Sequence, residues 1–156
     1  MLKRDYEGQN CSIARALELV GERWTLLIVR DAFLGLKRFD QFQDSLGIAS
    51  NVLTSRLERL VEAGVLERVR YQERPDRYEY ELTKRGRELR TPLIALMQWG
   101  DAISGKQPRL ARRKNDGSPV VAMLVGSDGK GVDPGEIEVV PGRGATRRGR
   151  QRVSAR

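Results

Sequence analysis

Small polar side chains are the residues of this chain whose types and spacing could do chemistry. On a predicted helix that begins at Ser50, Asn51 and Ser55 would lie nearly opposite the buried side, and Thr54 would flank them. Each can form one or two hydrogen bonds with the edge of a base, and their small size lets the backbone come close. The pattern predicts a helix that binds in a groove of nucleic acid.

Four arginines and a lysine are expected to lie near the phosphate backbone of the nucleic acid and hold this helix in place. They are Lys37, Arg38, Arg59, Arg74 and Arg77. Taken singly, each is more simply a surface charge or a local ion pair, such as Glu73 with Arg77. Their convergence on one predicted face favours phosphate contact. Arg56 lies beside the inner side of the helix, where we expect a packed stem and an intramolecular partner.

The composition excludes several other kinds of chemistry. The 156 residues contain no histidine and a single cysteine, Cys11. Ser-His-Asp and Cys-His catalytic pairs, histidine-containing or four-cysteine metal sites and an intrachain disulfide are therefore ruled out. No glycine-rich phosphate loop follows a predicted strand. We expect no enzymatic activity, no bound metal and no cofactor.

The net charge of +8 points to an anionic partner such as double-stranded DNA, but it is unevenly distributed. Residues 1–106 have a balance of +2, and residues 107–156 have a balance of +6. Residues 142–156 carry six arginines and no acid, which predicts a disordered tail, either a solvated arm or a weak tether to nucleic acid. The sequence has no signal peptide or membrane-length apolar run, so we expect a cytoplasmic protein without membrane contact.

Four helices that could position these side chains are predicted by apolar residues at helical spacing. Each ends near a glycine: Gly21, Gly35, Gly47 and Gly64. The fourth begins at Ser50, whose side-chain oxygen suits an N-cap. This fourth helix carries the polar face described above.

A hairpin and a last helix are predicted next. The apolar period falls to about two over Val65 to Gln72 and Arg77 to Leu82, with a charged tip at 73–76 between them. Thr83 caps the last helix, in which Pro92 predicts a kink or break at Thr91. Apolar residues cover more than one face of this helix, which favours burial against a second copy over packing within one monomer.

The order of these elements is that of a winged helix-turn-helix, a mainly α fold with a small β-hairpin wing. Two short helices are joined by a glycine-containing turn, and the second is followed at once by the hairpin. The third helix would brace the fourth in the major groove of DNA, while the hairpin tip reaches a neighbouring phosphate or the minor groove.

Three segments resemble the HxlR family of bacterial transcriptional regulators, relatives of the MarR type: CSIARALELVGERWTLLIVRDAFLG, RFDQFQDSLGIASNVLTSRLERLVEAGVLER and PDRYEYELTKRG. The resemblance covers roughly residues 8–105. It implies a homodimer that pairs through the N-terminal segment and the last long helix and binds a pseudo-palindromic operator. We expect a repressor that responds to an unidentified small effector or to thiol modification. The resemblance places Ser50, Asn51, Thr54 and Ser55 on the recognition helix and Arg74 and Arg77 on the wing.

Cys11 lies where many members of this family have a cysteine at the start of the first helix, and some of them sense oxidants or electrophiles through it. A thiol at a helix N-terminus, with Arg15 one turn on, is suited to react as the thiolate. The alternative is a small apolar residue buried in the core or at a subunit contact. The sequence leaves both interpretations open.

Three parts of the chain are predicted. Residues 1–106 form the DNA-binding and dimerisation domain, 107–141 a small β-rich extension and 142–156 the basic tail. Within the extension, Pro119 to Val125 and Ile137 to Val140 have the composition of strands, and the extension would cover a dimer surface or receive a ligand. The near-neutral balance of the first part leaves a second hypothesis, a winged-helix protein-interaction module without specific DNA binding.

Overall fold

A computed structural model describes Tyr6 and residues 10–145 of the chain. The described residues form six α-helices, one antiparallel hairpin and one 3-10 turn. In chain order these are α1 (Ser12–Val20), α2 (Thr25–Phe33), α3 (Phe39–Leu46), α4 (Ser50–Glu62), β1 (Leu66–Glu73), β2 (Asp76–Leu82), α5 (Lys84–Glu88), α6 (Arg90–Ser104) and the 3-10 turn Pro134–Glu136. The predicted winged helix-turn-helix is confirmed. None of the described helices is long and apolar enough to cross a membrane.

The core lies where α2, α3 and α4 meet the base of the hairpin. Leu53, Leu57 and Leu60 recur at spacings of four and three along α4, and all three are fully buried. Phe42 of α3 and Ile28 of α2 pack into the same cluster. Each such side chain contributes roughly 1.5–3 kcal/mol when it is withdrawn from water. The outer face of α4 is thereby fixed towards solvent.

A buried carboxylate fixes α2 against α3. Asp31, 1% exposed, accepts a hydrogen bond of 2.7 Å from the hydroxyl of Ser45. Its other oxygen accepts a hydrogen bond of 2.8 Å from Arg30. A buried charge is tolerated only when it is paired and hydrogen-bonded, and this arrangement supplies both. The first helix of the helix-turn-helix is therefore held rigidly on the core.

The turn between α3 and α4 is built on Gly47. Its backbone has φ 60° and ψ 34°, in the left-handed region that glycine adopts without steric cost. Its N–H donates to the carbonyl of Gln43 at 2.9 Å, which closes α3. Ile48, 5% exposed, then enters the core and directs the chain into α4.

The hairpin is longer than predicted at its tip. Residues 66–73 pair with 76–82, so the turn contains only Arg74 and Pro75. At the base of the hairpin, Thr83 accepts a hydrogen bond of 3.0 Å from the N–H of Gly86 and so caps α5, as its sequence position predicted. The N–H of Tyr80 donates to the carbonyl of Lys37 at 2.7 Å, which attaches β2 to the start of the helix-turn-helix.

The expected break before Pro92 occurs at Leu89, between α5 and α6, rather than at Thr91. Pro92 falls in the first turn of α6, where a missing N–H removes no helical hydrogen bond. No residue of α6 is buried within one protomer.

The extension differs from its prediction. The strands expected at Pro119 to Val125 and at Ile137 to Val140 do not form, and the described part contains only two isolated bridges, Arg112 with Pro119 and Val125 with Gly131. A physical reason lies in Gln98 of α6, whose side chain takes up backbone groups that a neighbouring strand would need. Of the predicted tail 142–156, residues 146–156 lie outside the described residues.

Candidate nucleic-acid interface

The outer face of α4 brings the predicted reading residues together. Ser50, Asn51 and Thr54 are exposed, and Ser55 is half-buried beside them. Glu58 and Glu62 continue the same exposed stripe towards the C-terminal end of the helix. The N-terminal half of the face therefore carries small neutral polar groups, and the C-terminal half carries two carboxylates.

Two of the four predicted reading residues use their side chains locally. Ser50 is the first residue of α4 rather than its N-cap, a position that Ala49 occupies. The predicted cap is wrong because the Ser50 hydroxyl instead accepts a hydrogen bond of 2.7 Å from the amide of Gln43. Thr54 donates its hydroxyl to the carbonyl of Ser50 at 2.9 Å. Both side chains consequently stabilise the start of the helix.

The other two reading residues are uncommitted. Among the residues that the structure describes, the side chains of Asn51 and Ser55 form no hydrogen bond with protein. Ala49 offers no side-chain cap, so the first N–H groups of α4 have no capping side chain among the described residues. Asn51, Ser55 and these backbone donors form the part of the face best suited to an external ligand.

The arginines of α4 are held by one carboxylate. Glu22, in the loop after α1, contacts Arg56 at 2.6 Å and Arg59 at 2.5 Å. Arg56 also donates to the carbonyl of Arg23 at 3.1 Å, which confirms the intramolecular partner predicted for it. Arg59, predicted to contact DNA, is instead in an ion pair, although its side chain is still 47% exposed. Sequence reasoning missed Glu22, because no periodicity relates a loop residue to a helix more than 30 positions later.

On the wing, the predicted pair of Glu73 with Arg77 does not form. Arg70 takes up the acids of the tip instead, with 3.0 Å to Glu73 and 3.4 Å to Asp76. Arg74 and Arg77 are exposed and have no ion-pair partner within the described chain. The local acids are thus neutralised by a different arginine, and two guanidinium groups at the tip face solvent.

The residues before α3 divide into two roles. Lys37 donates to Glu81 of β2 at 2.7 Å, and this hydrogen bond, together with the attraction between the charges, raises the pKa of Lys37. This contact attaches the wing to the start of the helix-turn-helix, and phosphate contact by Lys37 stays a prediction. Arg38 is exposed, and its backbone N–H donates to the side chain of Gln41 at 3.0 Å. Its guanidinium forms no ion pair with any described residue.

Cys11 is exposed at the N-cap position of α1. Its carbonyl accepts the N–H of Arg15 at 3.1 Å, while the guanidinium of Arg15 donates to the side chain of Asn10 at 3.3 Å. Burial in the core of one protomer is therefore wrong for this residue. A subunit contact and a reactive thiol both stay open.

Comparison with known proteins agrees with this geometry. The model of the HxlR-like helix-turn-helix family matches residues 19–108. An uncharacterised HTH-type transcriptional regulator of Mycobacterium tuberculosis is 54% identical over 100 residues, which are 64% of this chain and 62% of the relative's length. The match thus spans less than two thirds of that relative.

Two solved structures cover more of the chain. PA1607, described as a candidate transcription factor, is 38% identical with a TM-score of 0.75, and the similarity covers 85% of this chain and 95% of that one. PA1374 from Pseudomonas aeruginosa is 45% identical with a TM-score of 0.65 and coverages of 91% and 99%. Both similarities extend beyond the segment that the family model matches.

Proposed function

This chain belongs to the family of HxlR-like helix-turn-helix transcriptional regulators, and from that premise we propose that it acts as a homodimeric repressor on a pseudo-palindromic operator. The observation that carries the proposal is the outer face of α4. Asn51 and Ser55 lie on the side of α4 opposite its buried leucines. The neighbouring wing presents Arg74 and Arg77.

The chemistry of this face suits the major groove. An asparagine amide can form two hydrogen bonds with the edge of adenine, and a serine hydroxyl can meet several bases. The uncapped N–H groups at the start of α4 favour a phosphate oxygen, because the helix dipole adds to their hydrogen bonding. Contacts with base edges would determine which DNA sequence is bound, and the phosphate contact would fix how deeply the helix lies in the groove.

The wing would supply contact that does not depend on sequence. Arg74 and Arg77 lie at the tip of the hairpin, where Arg70 has already neutralised the nearby acids. Their guanidinium groups are therefore available to the phosphates that flank the groove. Arg38, at the start of α3, is the third cation suited to this task.

Exposed apolar residues support the homodimer. On α6, Trp99 is 67% exposed and Ile103 is 66% exposed, and on α1 Ile13 is 71% exposed. Two helices with such surfaces are unfavourable in water unless a partner covers them. A symmetric pair formed by α1 and α6 would place two recognition helices for half-sites about one DNA turn, roughly 34 Å, apart. An effector or a modified thiol would act by changing this spacing.

The proposal is tested by binding to duplexes that contain an inverted repeat from the region upstream of the gene, and to random duplexes, over a series of salt concentrations. The double variant Asn51→Ala/Ser55→Ala should lose discrimination by about 1–3 kcal/mol per base contact, whereas Arg77→Ala should weaken binding to both duplexes and lower the salt slope by about one. Asn115→Ala, on the exposed extension, is the matched control. Unchanged discrimination in the double variant would exclude this reading face.

The second hypothesis, a protein-interaction module, is favoured by one observation: the carboxylates of Glu58 and Glu62 share the outer face of α4. Their charge would oppose a phosphate that came close to the C-terminal half of the helix. A folded dimer that binds neither duplex at low salt would support this hypothesis.

A further inference from the structure

Residues 107–145, which are the C-terminal extension and the described start of the tail, carry apolar side chains that their own protomer leaves uncovered. Val121 is 72% exposed, Met123 is 64% exposed and Val139 is 85% exposed. Within the described residues the extension has no strand that would gather them into a core of its own. Several large apolar side chains left exposed on one short segment are typical of a surface that another chain covers.

Two contacts place the extension beside the helices of the proposed dimer. The side chain of Gln98 on α6 donates to the carbonyl of Val120 and accepts from the N–H of Ala122, each at 2.8 Å. The amide of Asn10, next to the start of α1, donates to the carbonyl of Gly144 at 2.7 Å. The extension therefore begins after α6, is fastened to α6 near its middle and ends near α1.

Positive and negative charges are segregated along the extension and the residue just before it. Residues 106–114 contain five basic residues and no acid: Lys106, Arg109, Arg112, Arg113 and Lys114. Residues 116–141 contain five acids and one base. These charged side chains are exposed. In a symmetric contact between two copies, the basic half of each chain can lie against the acidic half of the other. The same pair of halves then meets twice.

We propose that the C-terminal extension is an intersubunit strap, which lies across a second copy of this chain. Its basic half faces the partner's acidic half, and its apolar side chains join the exposed apolar surface of α6. This inference rests on the proposed homodimer and assigns a further part of its interface. A second copy fits better than DNA, because the apolar residues lie in the acidic half, which phosphates repel.

The charge pattern allows a test that only a contact between subunits can pass. The double change Arg112→Glu/Arg113→Glu lowers the charge of the basic half from +5 to +1, and the double change Glu136→Lys/Glu138→Lys takes the acidic half from −4 to 0. Sedimentation of each full-length variant alone should show dimerisation weakened by about tenfold or more at low salt, because both opposed pairs of halves lose most of their attraction. The mixed dimer in an equimolar mixture should be tighter than the dimer of either variant alone, since it keeps one unaltered basic half opposite one unaltered acidic half.

The controls separate this inference from the proposed dimer. Circular dichroism verifies that each variant is folded, and Lys84→Glu/Arg85→Glu on α5 makes the same change of charge outside the extension. A mixture no tighter than the average of its components, with the wild-type chain dimeric, would overturn the strap and leave the α1 and α6 dimer standing. A wild-type chain that is monomeric at all concentrations would overturn both. Recovery of affinity only in the mixture establishes the strap.

Discussion

A carboxylate oxygen of Glu22 lies 2.6 Å from the guanidinium of Arg56. Its second oxygen lies 2.5 Å from Arg59, one turn along the same helix. Glu22 lies two residues after the end of α1, the helix proposed to pair with a second subunit, whereas both arginines belong to α4. One side chain therefore links the proposed dimerisation helix to the proposed recognition helix.

Neutralising Glu22 should loosen this link and release Arg59 to phosphate. We expect Glu22→Gln to bind random duplex DNA more tightly and to steepen the salt slope by about one, because one more cation displaces counterions. Stability should fall by less than about 1 kcal/mol, since the pair is partly exposed and screened by water. Glu88→Gln removes the same charge from an exposed position of α5, away from the outer face of α4, without breaking an ion pair among the described residues. Equal effects of both variants would mean that net charge alone is responsible.

The contact between Ser45 and Asp31 should matter more to stability than any exposed pair. Ser45→Ala removes the hydroxyl that donates to a carboxylate 1% exposed, which should lower the free energy of unfolding by about 1–3 kcal/mol. Urea denaturation followed by circular dichroism measures this difference. Ser12→Ala, at an exposed position of α1, is the control and should change stability by less than about 0.5 kcal/mol. A similar small change in Ser45→Ala would contradict the bracing role.

Periodicity predicted the elements better than it predicted contacts between them. The spacing of Leu53, Leu57 and Leu60 predicted which side of α4 is buried. Asn51 was then expected to be exposed, because the regular helical period of about 3.6 residues places it on the opposite side. The partners of Arg59 and Ser50 were not predictable, since Glu22 and Gln43 come from other elements. In the extension, the residue composition predicted strands, but composition does not supply the neighbouring strand that a ladder requires.

Loss of the Lys37 contact should lower stability at neutral pH, and this effect should fade at high pH. The hydrogen bond to Glu81, and then its charge, raise the pKa of Lys37 above the ordinary 10.5. A group whose pKa is raised on folding contributes stability that is complete below its unfolded pKa and is lost as the pH rises through its folded pKa. The stability difference between the wild type and Lys37→Met should thus be constant up to about pH 10 and then shrink.

Urea denaturation of both proteins between neutral and alkaline pH checks this expectation. Lys84→Met, at an exposed position of α5, is the control and should show no such change in its difference from the wild type. A Lys37→Met difference that shrinks towards acid instead would assign the contribution to another titrating group.

The exposure of Cys11 predicts that its thiol reacts in the folded protein. As the single cysteine of the chain, it should be titrated completely by Ellman's reagent without denaturant, at a rate close to that in urea. If a subunit contact covers it, the rate should instead fall as protein concentration rises and the dimer forms. The concentration dependence therefore separates the two interpretations that the single protomer leaves open.

Under the sensor hypothesis, diamide should weaken operator binding by the wild type, and Cys11→Ser should bind equally with and without diamide. Loss of binding in Cys11→Ser on diamide treatment would assign the response to another group.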